Sequence, residues 1–134
     1  MHEAKTLKKI FAHFIILFAL TACSQSNITD LSENSFLVET SAGSVCGIEK
    51  VKTSILALAA VAVIKKGGDQ FAVISRRIVP QVRYSGTLIL RTIEAKLIVT
   101  MSAENSSAET HSARAVLGAD WQQTVSSGLP QTCN

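Results

Sequence analysis

The sequence predicts an α+β domain: a small antiparallel sheet with a long buried Ala-rich helix and one or two C-terminal helices packed on it. Three observations point there. A short alternating segment, Phe36-Leu37-Val38-Glu39-Thr40, precedes a helical stretch from Gly47 to Lys66. Strand-rich segments follow at Gln70 to Arg77 and Thr87 to Met101, and two short helix signals come last. Strand, helix, strands and then helix is the order of an antiparallel sheet with its helices on one side.

Each element has a local reason. The Phe36–Thr40 strand stops at Ser41-Ala42-Gly43, a small-residue turn signal. In the long helix, Glu49 sits near the start, Lys65 and Lys66 close the last turn, and Gly67-Gly68 stop it. That is the sense which the helix dipole and C-cap preferences favour. Its centre, Ile55 to Ile64, is apolar on every side, which predicts a core helix rather than a partner-binding one. It is too short to cross a bilayer. The small Ala57, Ala59, Ala60 and Ala62 permit close approach to a sheet.

The strand Gln70 to Arg77 puts Phe71 and Val73 on one face and Ala72 and Ile74 on the other. Pro80 is expected to interrupt it, and Tyr84-Ser85-Gly86 reads as a turn. In Thr87 to Met101 the alternation changes phase. Leu88 and Leu90 share one parity, while Ile93, Ala95, Leu97, Val99 and Met101 share the other. A one-residue slip transfers side chains to the opposite face, so a bulge or break is expected near Arg91-Thr92-Ile93. Asn105-Ser106-Ser107 is placed to cap a helix over about Ala108 to Leu117, ended by Gly118. Asp120 is placed to cap a last helix through Val125, before Gly128 and Pro130.

The first 22 residues differ from this domain. Lys5, Lys8 and Lys9 against Glu3 give them a net +2, while the other 112 residues carry a net +1. The chain after the leader is therefore nearly neutral, and general attraction to nucleic acid is not indicated. The three lysines and the apolar Ile10 to Leu20, interrupted by His13, follow the grammar of an export signal. The apolar run is shorter than the roughly 20 residues of a transmembrane helix.

Leu20-Thr21-Ala22-Cys23 closes this segment and resembles the lipobox of bacterial lipoproteins. The resemblance implies a diacylglycerol thioether on the Cys23 sulfur and cleavage before it, with residues 1–22 as the signal peptide. A thiolate is the soft nucleophile such a transfer needs, and two or more acyl chains make anchoring stable. Ser24 occupies the position at which Asp retains many such proteins on the inner membrane, so the resemblance implies the outer membrane, facing the periplasm or the outside, with the periplasmic side expected. Residues 23–34 are polar and read as a lipidated tether of about 36–40 Å when extended. Residues 35–134 remain for the domain.

With Cys23 taken by lipid, Cys46 and Cys133 form an even pair in an oxidising compartment. A bridge between them closes a loop of 88 residues, stabilising by about 4–5 kcal/mol in the chain-entropy model. Two buried thiols or a redox site are the alternatives, although no Cys-x-x-Cys spacing supports the latter. The chain also resembles a group of uncharacterised bacterial lipoproteins. The shared features are a Cys before an Ala-rich helix (Cys46), Gly68-Asp69-Gln70-Phe71, Leu117-Gly118-Ala119-Asp120-Trp121 and a final Cys133. That resemblance implies no activity.

No catalytic residue, metal ligand set or cofactor motif is legible. His111 is the one His beyond the leader; it lacks a nucleophile elbow nearby and reads as solvated helix surface. Glu104, Glu109 and Asp120 could pair as acid and base, but nothing fixes their separation. Lys65, Lys66, Arg76, Arg77 and Arg83, offset by Asp69, give a net +4 within 19 residues. Such a cluster is a possible basic surface for anionic lipid or an acidic envelope protein. Trp121 reads as a core or sheet-covering residue. The expectation is a non-enzymatic, lipid-anchored outer-membrane lipoprotein serving in binding, sensing or envelope assembly. A small envelope hydrolase using His111 or the late carboxylates is one alternative, and a host-facing surface antigen is another.

Overall fold

An 18-residue helix that is apolar around most of its circumference has to be covered on more than one side. The computed structural model describes residues 25–101 and 108–128, and in it a five-stranded antiparallel sheet covers the first side. The elements are β1 Gln25–Asp30, β2 Ser35–Gly43, α1 Ile48–Lys65, β3 Gln70–Ser85, β4 Leu88–Thr100, β5 Glu109–Ser112, α2 Ala113–Leu117 and α3 Trp121–Ser126. The α+β class predicted from the sequence is the class observed.

Strand order is β1-β2-β4-β3-β5. Because β4 is antiparallel to both of its neighbours, β2 and β3 run parallel with β4 inserted between them. The unit β2-α1-β3 is therefore a split β-α-β. Along β2, Phe36, Val38, Thr40 and Ala42 turn inward, and along β4 Ile93, Ala95, Leu97 and Val99 do the same. Phe71 and Val73 of β3 join them, and Val51, Ile55, Leu58, Ala59 and Val63 of α1 complete the cluster. The second side of α1 is closed by α2, whose Ala113 is fully buried, and by α3.

The end of α1 follows the sequence signals. The Gly67 N–H donates to the Ile64 carbonyl and the Gly68 N–H to the Val63 carbonyl, the paired bonds of a Schellman C-cap. Gly67 takes φ +85°, a conformation that costs a side-chain-bearing residue. At Gly68 a Cβ would sit 3.3 Å from both Met101 Sδ and Val63 Cγ1, so the second glycine lets the chain turn tightly under β4.

Five expectations are corrected. The segment read as a tether is largely strand β1, paired residue for residue with β2 from Gln25↔Ser41 to Asp30↔Phe36. Ile28 is its one apolar anchor, and Ser26 and Thr40 hydroxyls hydrogen-bond at 3.0 Å. Pro80 does not end β3: it stands opposite Ile93 in a ladder that runs without a shift from Ser75 to Ser85. It is tolerated because β5 pairs only with Gln70 to Val73, so beyond that point one edge of β3 is open. The irregularity falls in β3 between Val73 and Ser75, not in β4 near Arg91-Thr92-Ile93.

The helix expected over Ala108 to Leu117 begins only at Ala113, and Glu109–Ser112 is the edge strand β5. There, pairing with Gln70–Val73 outweighs weak helical preference. Trp121 does not cover the sheet; it is half-buried in α3 with the Arg114 guanidinium 4.8 Å from its ring centroid. The Gly118 stop and the Asp120 start are where the sequence put them.

Truncating Leu58, fully buried in α1, to Ala is expected to destabilise the domain by about 2–5 kcal/mol. The exposed Lys50→Ala control is expected to stay within about 0.5 kcal/mol. Urea denaturation checks both, and equal losses would contradict the core assignment.

Candidate functional site

Asp69 is the best-connected polar residue of the domain. It follows the Schellman turn, and its backbone carbonyl accepts the Ala113 N–H at 2.8 Å. One carboxylate oxygen accepts the Arg114 N–H at 3.0 Å and the other accepts the Ser112 hydroxyl at 2.9 Å. The Arg114 backbone N–H, the Ser112 hydroxyl and the Arg114 guanidinium hold its carboxyl below the usual carboxylate range, against a smaller effect of burial. Ser112 in turn accepts the Ala115 N–H, capping α2. Asp69 is thus a clamp between the α1–β3 connection and the start of α2. Its role is architectural.

His111 lies on β5, not on a helix, and stacks on Phe71 with ring centroids 5.4 Å apart. Its Nε2 is 2.8 Å from Glu109 Oε1, and Arg76 bonds the same carboxylate at 3.2 Å. Burial pushes the Glu109 carboxyl up, but Arg76 and His111 outweigh it and leave it below its ordinary value. Among the described residues the hydrogen bonding of His111 is to Glu109, and no serine or cysteine joins it. Asp120 starts α3 instead, and Glu104 lies outside the described residues, as do Cys23 and Cys133. Cys46 is half-buried against the core in the turn before α1, and its sulfur is held in a disulfide.

The five basic residues grouped by sequence are dispersed in space. Lys66, at the end of α1, pairs with Asp30 of β1 and stands 5.6 Å from the Phe36 ring centroid. Arg76 pairs with Glu109, and Arg83 with Glu94 at 2.9 Å. Lys65 and Arg77 make no ion pair among the described residues. Arg77 lies opposite Lys96 on the sheet face that turns away from α1, and Lys96 is held at 2.9 Å by Glu39. That face is a mixed-charge surface with a shallow depression lined by Asn27, Glu39, Ser41, Glu94 and Lys96 among others. Among the described residues no cluster of His, Cys, Asp and Glu is arranged to hold a metal ion.

The feature that sequence reading missed is the β3–β4 hairpin. β2 ends opposite Thr92 and β5 ends opposite Val73, so the ribbon beyond Gln81 and Thr92 has both edges open. Its ladder continues from Val82↔Arg91 to Ser85↔Leu88, about 15 Å past the end of β2. Gly86, at φ +61°, makes the turn. Val82, Tyr84, Leu88, Ile89 and Leu90 on this ribbon are 51–76% exposed. The signal was present as the change of phase at Leu88 and Leu90. It marks where the hairpin leaves the core, not a bulge.

No family model, curated protein or solved structure matches the chain.

The Asp69 clamp carries a pH signature. A depressed carboxyl contributes stability that is complete above its unfolded value, about 4, and is lost as pH falls through the lower folded value. Asp69→Asn is therefore expected to lower the thermal midpoint at pH 7, and the gap to the parent protein should narrow progressively as pH falls below about 4. A gap independent of pH would show that the carboxylate charge does not matter.

Proposed function

We propose that this protein is a lipid-anchored outer-membrane lipoprotein, facing the periplasm, which acts as a non-enzymatic binding, sensing or envelope-assembly module. One observation carries the reading. Leu20-Thr21-Ala22-Cys23 follows a basic, apolar leader, and the folded sheet starts at Gln25, two residues after the cysteine that would take the lipid. Two residues reach about 7 Å, so the lipid holds the end of the sheet directly at the membrane surface. Among the described residues no helix is long and apolar enough to cross a membrane.

The domain supports a binding role over chemistry. Its one half-buried imidazole is taken up by Phe71 and Glu109, and its best polar network fastens α2 in place. We further propose that Cys46 is bridged to Cys133. The disulfide state of Cys46 supports the pairing, as does the small number of cysteines, three in all. The bridge would fasten the second-last residue to the turn that starts α1.

Mass spectrometry of protein extracted from cell membranes, before and after reduction, tests both assignments. The expected mass is that of a chain starting at Cys23 with added acyl groups, and reduction should add two hydrogens. Cys23→Ser is expected to keep the leader and lose the acyl mass. A full-length, unacylated and soluble chain would overturn the assignment. Cys133→Ser should lower stability by about 4–5 kcal/mol at most.

A further inference from the structure

We propose that the tip of the β3–β4 hairpin is a second membrane contact, seated in the headgroup region of the bilayer that carries the Cys23 lipid. The inference rests on the lipoprotein reading for which bilayer is involved, and on the structure for the surface. The starting point is the two-sided apolar character of the ribbon. By strand alternation, Val82, Tyr84 and Ile89 lie on the face continuous with the core, and Leu88 and Leu90 lie on the opposite face. All five are more than half exposed. A two-stranded ribbon standing beyond its sheet is marginal in water. A protein groove normally covers one face of such a ribbon, whereas a lipid interface surrounds both.

Placement points to the same occupant. Gln25 of β1 is opposite Ser41, which is opposite Glu94, so β1 begins at the end of the sheet from which the hairpin projects. β1 is parallel in direction to β4, so Gln25, its first residue, is at the end of β1 nearer the hairpin. Cys23 is two residues further on. The anchor and the apolar tip thus belong to one end of the molecule.

Charge completes the case. The ribbon from Val82 to Arg91 carries Arg83 and Arg91 and no acidic residue; Arg83 is paired with Glu94 at the ribbon's base, and Arg91 makes no ion pair among the described residues. Arg83 and Arg91 lie on opposite faces of the ribbon, level with Leu90 and Val82, at the height where headgroup phosphates would lie once the Tyr84–Ile89 tip is seated, and Tyr84 is of the type enriched at such depths. The open backbone edges limit the depth, because unpaired amides are not tolerated in the hydrocarbon core.

The test uses the full chain extracted from membranes and reconstituted into vesicles of phosphatidylcholine with or without phosphatidylglycerol. Tyr84→Trp in a Trp121→Phe background places a single indole at the tip. Expected is a blue-shifted emission quenched by lipids brominated on their acyl chains, stronger with phosphatidylglycerol and lost in Leu88→Ser/Leu90→Ser. Since both leucines are exposed, circular dichroism should show that variant folded. An indole that stays in water and is quenched by aqueous iodide overturns the proposal. So does a blue shift that appears without vesicles together with a dimer, or with a co-purified protein. The Cys23 mass in the same preparation separates the two readings: quenching without acyl mass upholds the tip contact and removes the anchor. Acyl mass without quenching does the reverse.

Discussion

The burial of α1 is the constraint on which the rest of this domain depends. A helix with Val51, Ile55, Leu58, Ala59, Ala60, Val61, Ala62 and Val63 all out of water cannot rest on a sheet alone, since a sheet covers only one side of a cylinder. The answer is a two-sided enclosure, with β2, β4 and β3 beneath and α2 and α3 above. Small side chains at Ala59, Ala60 and Ala62 bring backbone close to backbone, so that dispersion contacts accumulate. The lid packs Ala113, Val116 and Leu117 on the core. Five residues of α2 and six of α3 could not hold that position by propensity. Asp69 fixes the start of α2, with Arg114 over the Trp121 ring reaching on to α3, and Asp69 is where it is because the Schellman turn at Gly67-Gly68 delivers it there.

Features set by local chemistry were legible in the sequence. The bounds of α1, its glycine stop, the inward alternation of β2 and the Gly118 and Asp120 punctuation all depend on residues within one turn of each other. What escaped is non-local. Gln25–Asp30 has a single apolar residue and becomes a strand because β2 presents an open edge to it. Glu109–Ser112 becomes a strand because Gln70–Val73 does the same. Pro80 is compatible with β3 only because one side of that strand goes unpaired, which no window of sequence around the proline reveals.

The candidate site illustrates the same limit for charge. Five basic residues close in sequence suggested one surface, yet β3 turns Arg76 and Arg77 to opposite faces and the body of the domain supplies Asp30, Glu109 and Glu94 as separate partners. Exposed pairs of this kind contribute little to stability, but they do divide a net charge into unrelated spots. The apolar hairpin, by contrast, left a trace in the periodicity. The trace indicated that something changed at Leu88 and Leu90 without saying whether the chain bent or departed from the core.

The inserted position of β4 has a consequence for how the chain acquires its shape. β2 has a local partner in β1 but finds its second, β4, only when a strand far downstream arrives: the hydroxyls of Ser35 and Thr100, bonded at 3.3 Å, are separated by 65 residues. The β3–β4 ribbon, by contrast, closes through a two-residue turn and can zip before any distant pairing exists. Until it does, the β1–β2 hairpin and the oily helix between β2 and β3 lack the β4 and β3 surface against which α1 is buried. In a chain emerging N-terminus first, the most aggregation-prone segment is therefore made early and sheltered late, and the long ribbon is the nucleus that ends its exposure.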